Sequence, residues 1–403
     1  MHFLSEPRTL FLTERLPREV RLAPVDVAFL LEHHRGHLEV LTTGRRDRYR
    51  LTALGCAGVV TAPTCRFVIR PKIPLVNVFA MLDPLADVHA EGDSIAPRTG
   101  TETLDFLAGQ LARRMAEHIA AGLHRAYREC REQGTVLHGR LDLPAQLREA
   151  PGRKDQLHSQ YDELSADVPC NQAVRTTAES LLASPLLGTE VRAALRQALA
   201  GFEGVSSVPL SPRLWEMIAS GPIPTEYRRL LDLCRLLADS LTLGDAAGPI
   251  PSPSFLLDLE RVFERHVTRG VVEAFASSRT HTVAVQKTHT VTEPTPYQQD
   301  VTMRPDLTID RVARTLLVVD AKWKRWTGNA ETSDLYQVLA YGTALGAEVV
   351  MLVYPGKRWR CREYRFTHTT LRLRVCSLRV GGTREECLRS VRRLARALKR
   401  LSC

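Results

Sequence analysis

The sequence contains no run of eighteen apolar residues, so no membrane span is expected. Its start, Met1-His2-Phe3-Leu4-Ser5-Glu6-Pro7-Arg8, lacks the basic opening and apolar block of a signal peptide, and a cytoplasmic location is the expectation. The nine cysteines (Cys56, Cys65, Cys130, Cys170, Cys234, Cys361, Cys376, Cys387 and Cys403) form no C-x-x-C pair. That argues against a zinc site or an iron–sulfur cluster, and the expectation is nine reduced thiols. No G-x-x-x-x-G-K-[S/T] is present, so the chain carries no P-loop. The thirteen histidines show no metal-binding H-x-x-x-H on a clear helix, and no Ser/His/Asp arrangement stands out.

What remains is an ordinary globular composition with an uneven charge. The 403 residues are 44% hydrophobic and 25% charged, enough for two or three domains with cores of their own. The net charge is +10, and residues 246–403 hold 26 Lys and Arg against 15 Asp and Glu, so the basic excess lies in that part. A basic domain suits a polyanionic substrate such as DNA; the arginine-rich protein composition of a high-GC genome gives the same excess without that meaning.

Three regions follow from composition and periodicity. Residues 1–92 read as a β-rich domain, with strands at 37–41, 49–53 and 66–70. A linker rich in Gly, Ser and Pro spans 90–103. Residues 102–243 read as helical, with Leu104, Leu107, Leu111, Met115, Ile119 and Leu123 on one stripe. A second boundary at 243–254 precedes the domain 246–403. There the expectation is a helix capped by Ser252 with Pro253 at its first position, then strands at 281–292, 301–310 and 315–323. A helix at 332–345, strands at 347–354, 361–366 and 370–380, and a final helix from Thr383 with Glu386 as its capping box complete it. The fold class is α/β and multi-domain, with a mixed sheet flanked by helices at its C-terminal end.

The chemistry concentrates in two β-branched runs that read as a hairpin, Arg304-Pro305-Asp306-Leu307-Thr308-Ile309-Asp310 and Thr315-Leu316-Leu317-Val318-Val319-Asp320-Ala321-Lys322. With the turn centred near 312–313, Asp306 falls across from residue 318 or 320. Side chains alternate faces, so Asp306, Asp320 and Lys322 share one face, with the carboxylates roughly 5–8 Å apart at Cβ. Two carboxylates at that separation can hold Mg²⁺, and a lysine beside them can orient or deprotonate a water. A bare D-x-K also occurs by chance at strand ends. Here Asp320 ends a run apolar enough for a buried strand, where a charge is costly unless paired or metal-bound.

Other residues have two readings. Gln337 and Tyr341 are i and i+4 on one helix face; they contact substrate or brace the lysine, or they pack in an ordinary amphipathic helix. Glu264 is either a third carboxylate for the metal or a solvated helix charge. The terminal helix presents Arg389, Arg392, Arg393, Arg396, Lys399 and Arg400 either to phosphates or to water. Trp323, Trp326 and Trp359 either stack on a base or pack inside.

Taken together, Arg304-Pro305-Asp306, Val319-Asp320-Ala321-Lys322-Trp323-Lys324 and Asp334-Leu335-Tyr336-Gln337-Val338-Leu339-Ala340-Tyr341 resemble the PD-(D/E)xK nuclease signature. Their wording resembles the McrC family, the nuclease subunit of modification-dependent McrBC restriction systems. The resemblance extends to Phe263-Glu264, His138-Gly139-Arg140-Leu141-Asp142, Tyr161 to Asn171, Ile69-Arg70-Pro71-Lys72-Ile73 and Asn77-Val78-Phe79. It implies that Asp306 and Asp320 ligate Mg²⁺, with Mn²⁺ as a substitute. It implies that Lys322 positions water, that Glu264 assists the metal, and that Gln337 and Tyr341 support the site. It also implies a partner, an AAA+ GTPase ring that recognises modified (methylated) DNA, docked through the N-terminal region. Competing readings are a stand-alone repair or recombination nuclease, an adaptor that activates a ring NTPase, and a plain basic DNA-binding module.

Overall fold

The computed structural model describes residues 8–82, 101–149, 152–153, 155–242, 253–292, 300–312, 314–324, 326, 328 and 330–402. The chain is α/β and divides into two compact units. One joins Met1–Gly100 with Leu256–Cys403; the other is Thr101–Phe255. The N-terminal segment and the segment with the acidic hairpin, read from sequence as separate domains, are thus packed together. Most of the two expected linkers, 90–100 and 243–252, and the proposed cap Ser252 lie outside the described residues.

The site is carried by a six-stranded mixed sheet, ordered His281–Val285, Leu307–Arg311, Arg314–Ala321, Val349–Gly356, Arg372–Arg379, Arg360–Arg365. The two central strands, Arg314–Ala321 and Val349–Gly356, run parallel. They are joined through the helix Thr332–Ala344, the crossover that parallel neighbours require. Their apolar runs are buried: Leu317, Val318 and Val319 on one, Val349 to Tyr354 on the other. Val318, Val338, Val350, Leu352, Tyr354, Leu371, Leu373 and Val375 form one core between sheet and helix. Gly342 lets the helix approach closely, since a Cβ there would meet Val350 Cγ1 at 2.5 Å. The final helix, Arg384–Ser402, starts with the expected capping box: Glu386 accepts from Thr383 N–H at 3.0 Å and Thr383 Oγ1 from Glu386 N–H at 3.3 Å.

The helix expected from Ser252 begins later. Ser254–Asp258 is a buried strand, because Phe255-Leu256-Leu257 is apolar on both faces. The helix is Leu259–Phe275, with Asp258 accepting from the N–H groups of Glu260 and Arg261 at 2.9 and 3.2 Å. The Ser254–Asp258 strand extends an N-terminal sheet ordered Arg8–Thr13, Cys65–Arg70, Cys56–Thr61. A second small sheet, Arg18–Arg21, Arg48–Ala53 and Leu38–Thr42, completes the β-rich segment.

The Thr101–Phe255 unit packs Glu102–Ala121, Pro169–Ala183, Thr189–Ala200 and Thr225–Ser240 around a core of Leu104, Leu107, Leu111, Val174, Leu181, Leu195, Leu230 and Leu237. It is not helical throughout: Ala126–Gly134, Arg140–Leu141 and Leu157–Ser165 form a three-stranded sheet. These strands are polar and poorly buried, so no apolar alternation marks them. Cross-strand pairs such as Arg128 opposite Glu163 accompany the backbone ladder. Gly139, at φ 72°, is obligatory in the turn, since a Cβ there would lie 2.6 Å from that of Tyr161.

Cys361 and Cys376 lie directly opposite in antiparallel strands, 4.0 Å apart at Cα, and are bridged by a disulfide. The expectation of nine free thiols is corrected at these two. Among the described residues no helix is long and apolar enough to cross a membrane.

Candidate nuclease site

The hairpin register places the first acid against the second. Arg311 pairs with Arg314, Val312 has φ 48°, a backbone form tight hairpin turns require, and residue 313 lies outside the described residues. A bulge between Ile309 and Asp310 then shifts the pairing by one residue, so that Ile309 faces Leu317 and Leu307 faces Val319. Continued one step, this register sets Asp306 opposite Asp320. Asp306 Oδ2 accepts the Ala321 backbone N–H at 2.7 Å. Lys322 Nζ lies 2.7 Å from Asp320 Oδ2, and Asp320 is 1% exposed. Asp306, Asp320 and Lys322 are thus brought together at the ends of the two strands.

The electrostatics describe acids crowded away from water. Burial, then the charges of Asp320 and Glu264, push Asp306 up to about 7; the Ala321 N–H and Lys322 oppose this. Burial raises Asp320 as well, with Asp334 adding to it, against the pull of Lys322. Glu264 is raised by burial and then by Asp320, with the Gln286 hydrogen bond opposing. Burial by itself would lower the Lys322 ammonium, but Asp320, Asp306 and Asp334 outweigh it and its pKa is raised. Lys322 is thus a donor, not a base, in this arrangement.

Whether these residues suit a divalent cation can be tested on Asp320. Its buried Oδ2 has the ammonium beside it, yet no group gives it a hydrogen bond of good geometry. Two neighbouring carboxylates, one with a buried oxygen met only by the Lys322 ammonium, fit Mg²⁺, which keeps several waters and takes one or two protein carboxylates beside phosphate oxygens. Among the described residues no group of three or more His, Cys, Asp and Glu side chains is gathered closely enough to hold a metal ion. Glu264 lies within electrostatic reach of both aspartates, but its carboxylate accepts from Gln286 Nε2.

Gln337 and Tyr341 form a brace. Gln337 Nε2 donates to the Tyr341 hydroxyl at 2.9 Å, and that hydroxyl donates to the Arg304 carbonyl at 3.5 Å, two residues before Asp306. Tyr341 also packs against the core beneath the helix, as the core reading expects, and the hydrogen bonds of the pair reach the Arg304 carbonyl rather than Lys322. Trp323 is 1% exposed and not open to a base. Trp326 is half-buried against the core, with the Arg362 guanidinium 5.7 Å from its ring. The Arg393 guanidinium lies 5.3 Å from the ring of Trp359. On the last helix Arg389, Arg392, Arg393, Arg396, Lys399 and Arg400 are exposed, opposite buried Val391, Leu394 and Leu398.

Two groups of supporting residues were not assigned from sequence. Gln286, at φ 47°, donates to Glu264 and accepts from Arg304 Nη2, linking helix and hairpin. Asp334, 3% exposed, accepts from Tyr354 OH at 2.8 Å and Lys324 Nζ at 2.9 Å. Asp334 and Lys324 were visible inside the motif, but only the fold brings Tyr354 to them. For Gln286 the sequence offers no signal.

The family model described as McrBC 5-methylcytosine restriction system component matches residues 51–355. The type IV methyl-directed restriction enzyme EcoKMcrBC of Escherichia coli K12 is 20% identical over 305 residues, covering 71% of this chain and 87% of that protein. Among solved structures, one chain of the tetradecameric assembly of Thermococcus gammatolerans McrB AAA+ hexamers with bound McrC superposes with a TM-score of 0.50. Its identity is 16%, and the match covers 96% of this chain and 100% of that one.

Proposed function

We propose, for a chain that belongs to the McrBC 5-methylcytosine restriction system family, the role of its divalent-metal-dependent DNA endonuclease subunit. The observation that carries this reading is the meeting of Asp306, Asp320 and Lys322 at the end of two paired strands. Asp306 and Asp320 would hold Mg²⁺, or Mn²⁺ in its place. Bound there, the cation would supply Lewis-acid stabilisation of charge on the scissile phosphate. The Lys322 ammonium donates to a phosphate oxygen or to the attacking water. Glu264, through Gln286 and Arg304, steadies the strand entry from one side, and Gln337 with Tyr341 steadies it from the other. The exposed arginines of the terminal helix add favourable charge for a DNA backbone.

The related structure containing McrB AAA+ hexamers with bound McrC supports a second part of the reading, a ring-forming AAA+ partner; that this ring hydrolyses GTP, selects methylated DNA and is stimulated by this chain is what the family resemblance implies. The test is Asp320→Ala in the full chain, assayed with that partner on methylated plasmid and Mg²⁺. Cleavage is expected to vanish while the circular dichroism spectrum and stimulation of GTP hydrolysis persist. Retained cleavage defeats the nuclease assignment. Robust cutting by the isolated wild-type chain would instead favour a stand-alone repair nuclease.

A further inference from the structure

Glu14 is a buried carboxylate far in sequence from the hydrolytic site. Glu14 follows the strand Arg8–Thr13 and is 1% exposed. Its Oε1 accepts the indole N–H of Trp323 at 2.6 Å, across 309 positions of sequence. Trp323 is itself 1% exposed and directly follows Lys322. The Lys72 ammonium lies 3.3 Å from Glu14 Oε1 and 4.5 Å from the centre of the Trp323 ring. The Phe263 ring, one residue before Glu264, packs against the same indole at 5.3 Å. Glu14 is in turn fixed by its own backbone N–H, which donates to the Arg70 carbonyl at 2.9 Å.

The placement matters because Lys322 stands just beyond the end of the Arg314–Ala321 strand. Its backbone N–H reaches Val353 O at 2.8 Å, and the Lys324 N–H turns back to its carbonyl at 2.9 Å. The indole anchors the chain at the next residue. An indole N–H buried without an acceptor is costly, so removing the acceptor favours a different ring position. Any movement of Trp323 is passed to Lys322 by the covalent chain and to Glu264 through Phe263.

We propose that Glu14, with Lys72 beside it, is a positioning residue of the hydrolytic site: by holding the Trp323 indole it sets the Lys322 ammonium against Asp320. The proposal rests on the nuclease reading above. It gives the N-terminal segment a direct structural hold on the catalytic strand.

The test uses the full chain with its ring partner and three substitutions. Glu14→Gln keeps an oxygen acceptor for the indole and cleaves like the wild type. Glu14→Leu removes the acceptor, and Trp323→Phe removes the donor while keeping an aromatic ring; each lowers kcat by about tenfold or more and leaves KM for DNA unchanged. A readout without metal or substrate accompanies these. The ¹⁵N-indole resonance of Trp323, assigned by its disappearance in Trp323→Phe, shifts and exchanges faster in Glu14→Leu but not in Glu14→Gln. Wild-type kcat in Trp323→Phe, a loss carried by KM, or a Glu14→Gln defect as deep as that of Glu14→Leu overturns the proposal. If Glu14→Leu does not fold, the other two variants still decide. Asp320→Ala is run alongside. Cleavage that survives it removes the nuclease reading itself, whereas a dead Asp320→Ala beside a fully active Trp323→Phe removes only the positioning role.

Discussion

Asp306 accepts the backbone N–H of Ala321 at 2.7 Å, so the first acid of the site is fastened to the residue that follows the second. Asp306→Asn keeps an oxygen for that N–H and removes only the charge. Cleavage is expected to be lost with the fold intact. In the folded chain this carboxyl is raised to about 7 by burial and by its acidic neighbours, above its value in the unfolded chain. Its ionisation therefore costs stability, and that cost grows as pH rises from the unfolded pKa through about 7. The thermal midpoint of Asp306→Asn should match or exceed that of the wild type at about pH 8, and the difference should shrink toward about pH 5. Mg²⁺ should raise the midpoint of the wild type at the higher pH and leave Asp306→Asn unmoved. Scanning fluorimetry with and without the cation checks both. An equal Mg²⁺ shift in the two proteins would remove Asp306 from the ligand set.

Tyr354 and Lys324 together satisfy buried Asp334. Tyr354→Phe leaves that carboxylate one donor short, at a cost of about 1–3 kcal/mol. Urea unfolding of the two proteins measures it. Because Asp334 also acts on Asp320 and Lys322 electrostatically, a modest fall in cleavage rate should accompany the loss. Unchanged stability would show that the hydroxyl contact is dispensable.

His266 is buried in the helix Leu259–Phe275, with the Cys387 sulfur 3.9 Å from its Nε2. Burial lowers it to about 3. In the unfolded chain it takes a proton near its ordinary pKa of 6.5, while in the folded chain it stays neutral. Between these values the unfolded state binds more protons, so its contribution favours unfolding as pH falls, by up to about 1.4 kcal/mol per pH unit. His34, lowered to about 4, acts in the same sense, and the raised acids of the site act in the opposite one. The comparison that isolates His266 is His266→Met against the wild type. The variant should lose less stability, or gain more, between about pH 6.5 and pH 4. Parallel stability profiles would count against a neutral buried imidazole.

Much of the C-terminal architecture was readable because strand and helix there differ sharply in period. The runs Leu316–Val319 and Val349–Tyr354 are continuously apolar, as a strand covered on both faces must be. Thr383 and Glu386 announce their helix by capping chemistry, which needs only a three-residue spacing. The sheet of the middle unit is not legible in the sequence because Ala126–Gly134 and Leu157–Ser165 are stabilised by pairing, not by an apolar face. The start of the Leu259–Phe275 helix differs from the sequence expectation because a buried strand and a helix interior are alike over a stretch as short as Phe255-Leu256-Leu257.

The sequence by itself determined the chemistry: which acids and which lysine are present, their spacing along two strands, and the basic surroundings. Only the tertiary structure decided that they meet. The turn register, Arg311 against Arg314, would by itself carry Asp306 to a place opposite Val319. The bulge between Ile309 and Asp310 moves it by one residue to Asp320, and in a pleated strand one residue is the difference between the two faces of the sheet. Likewise, Glu14 and Trp323 are distant polar and aromatic residues in the chain; burial in a shared core, where an unpaired polar atom is costly, makes them a pair.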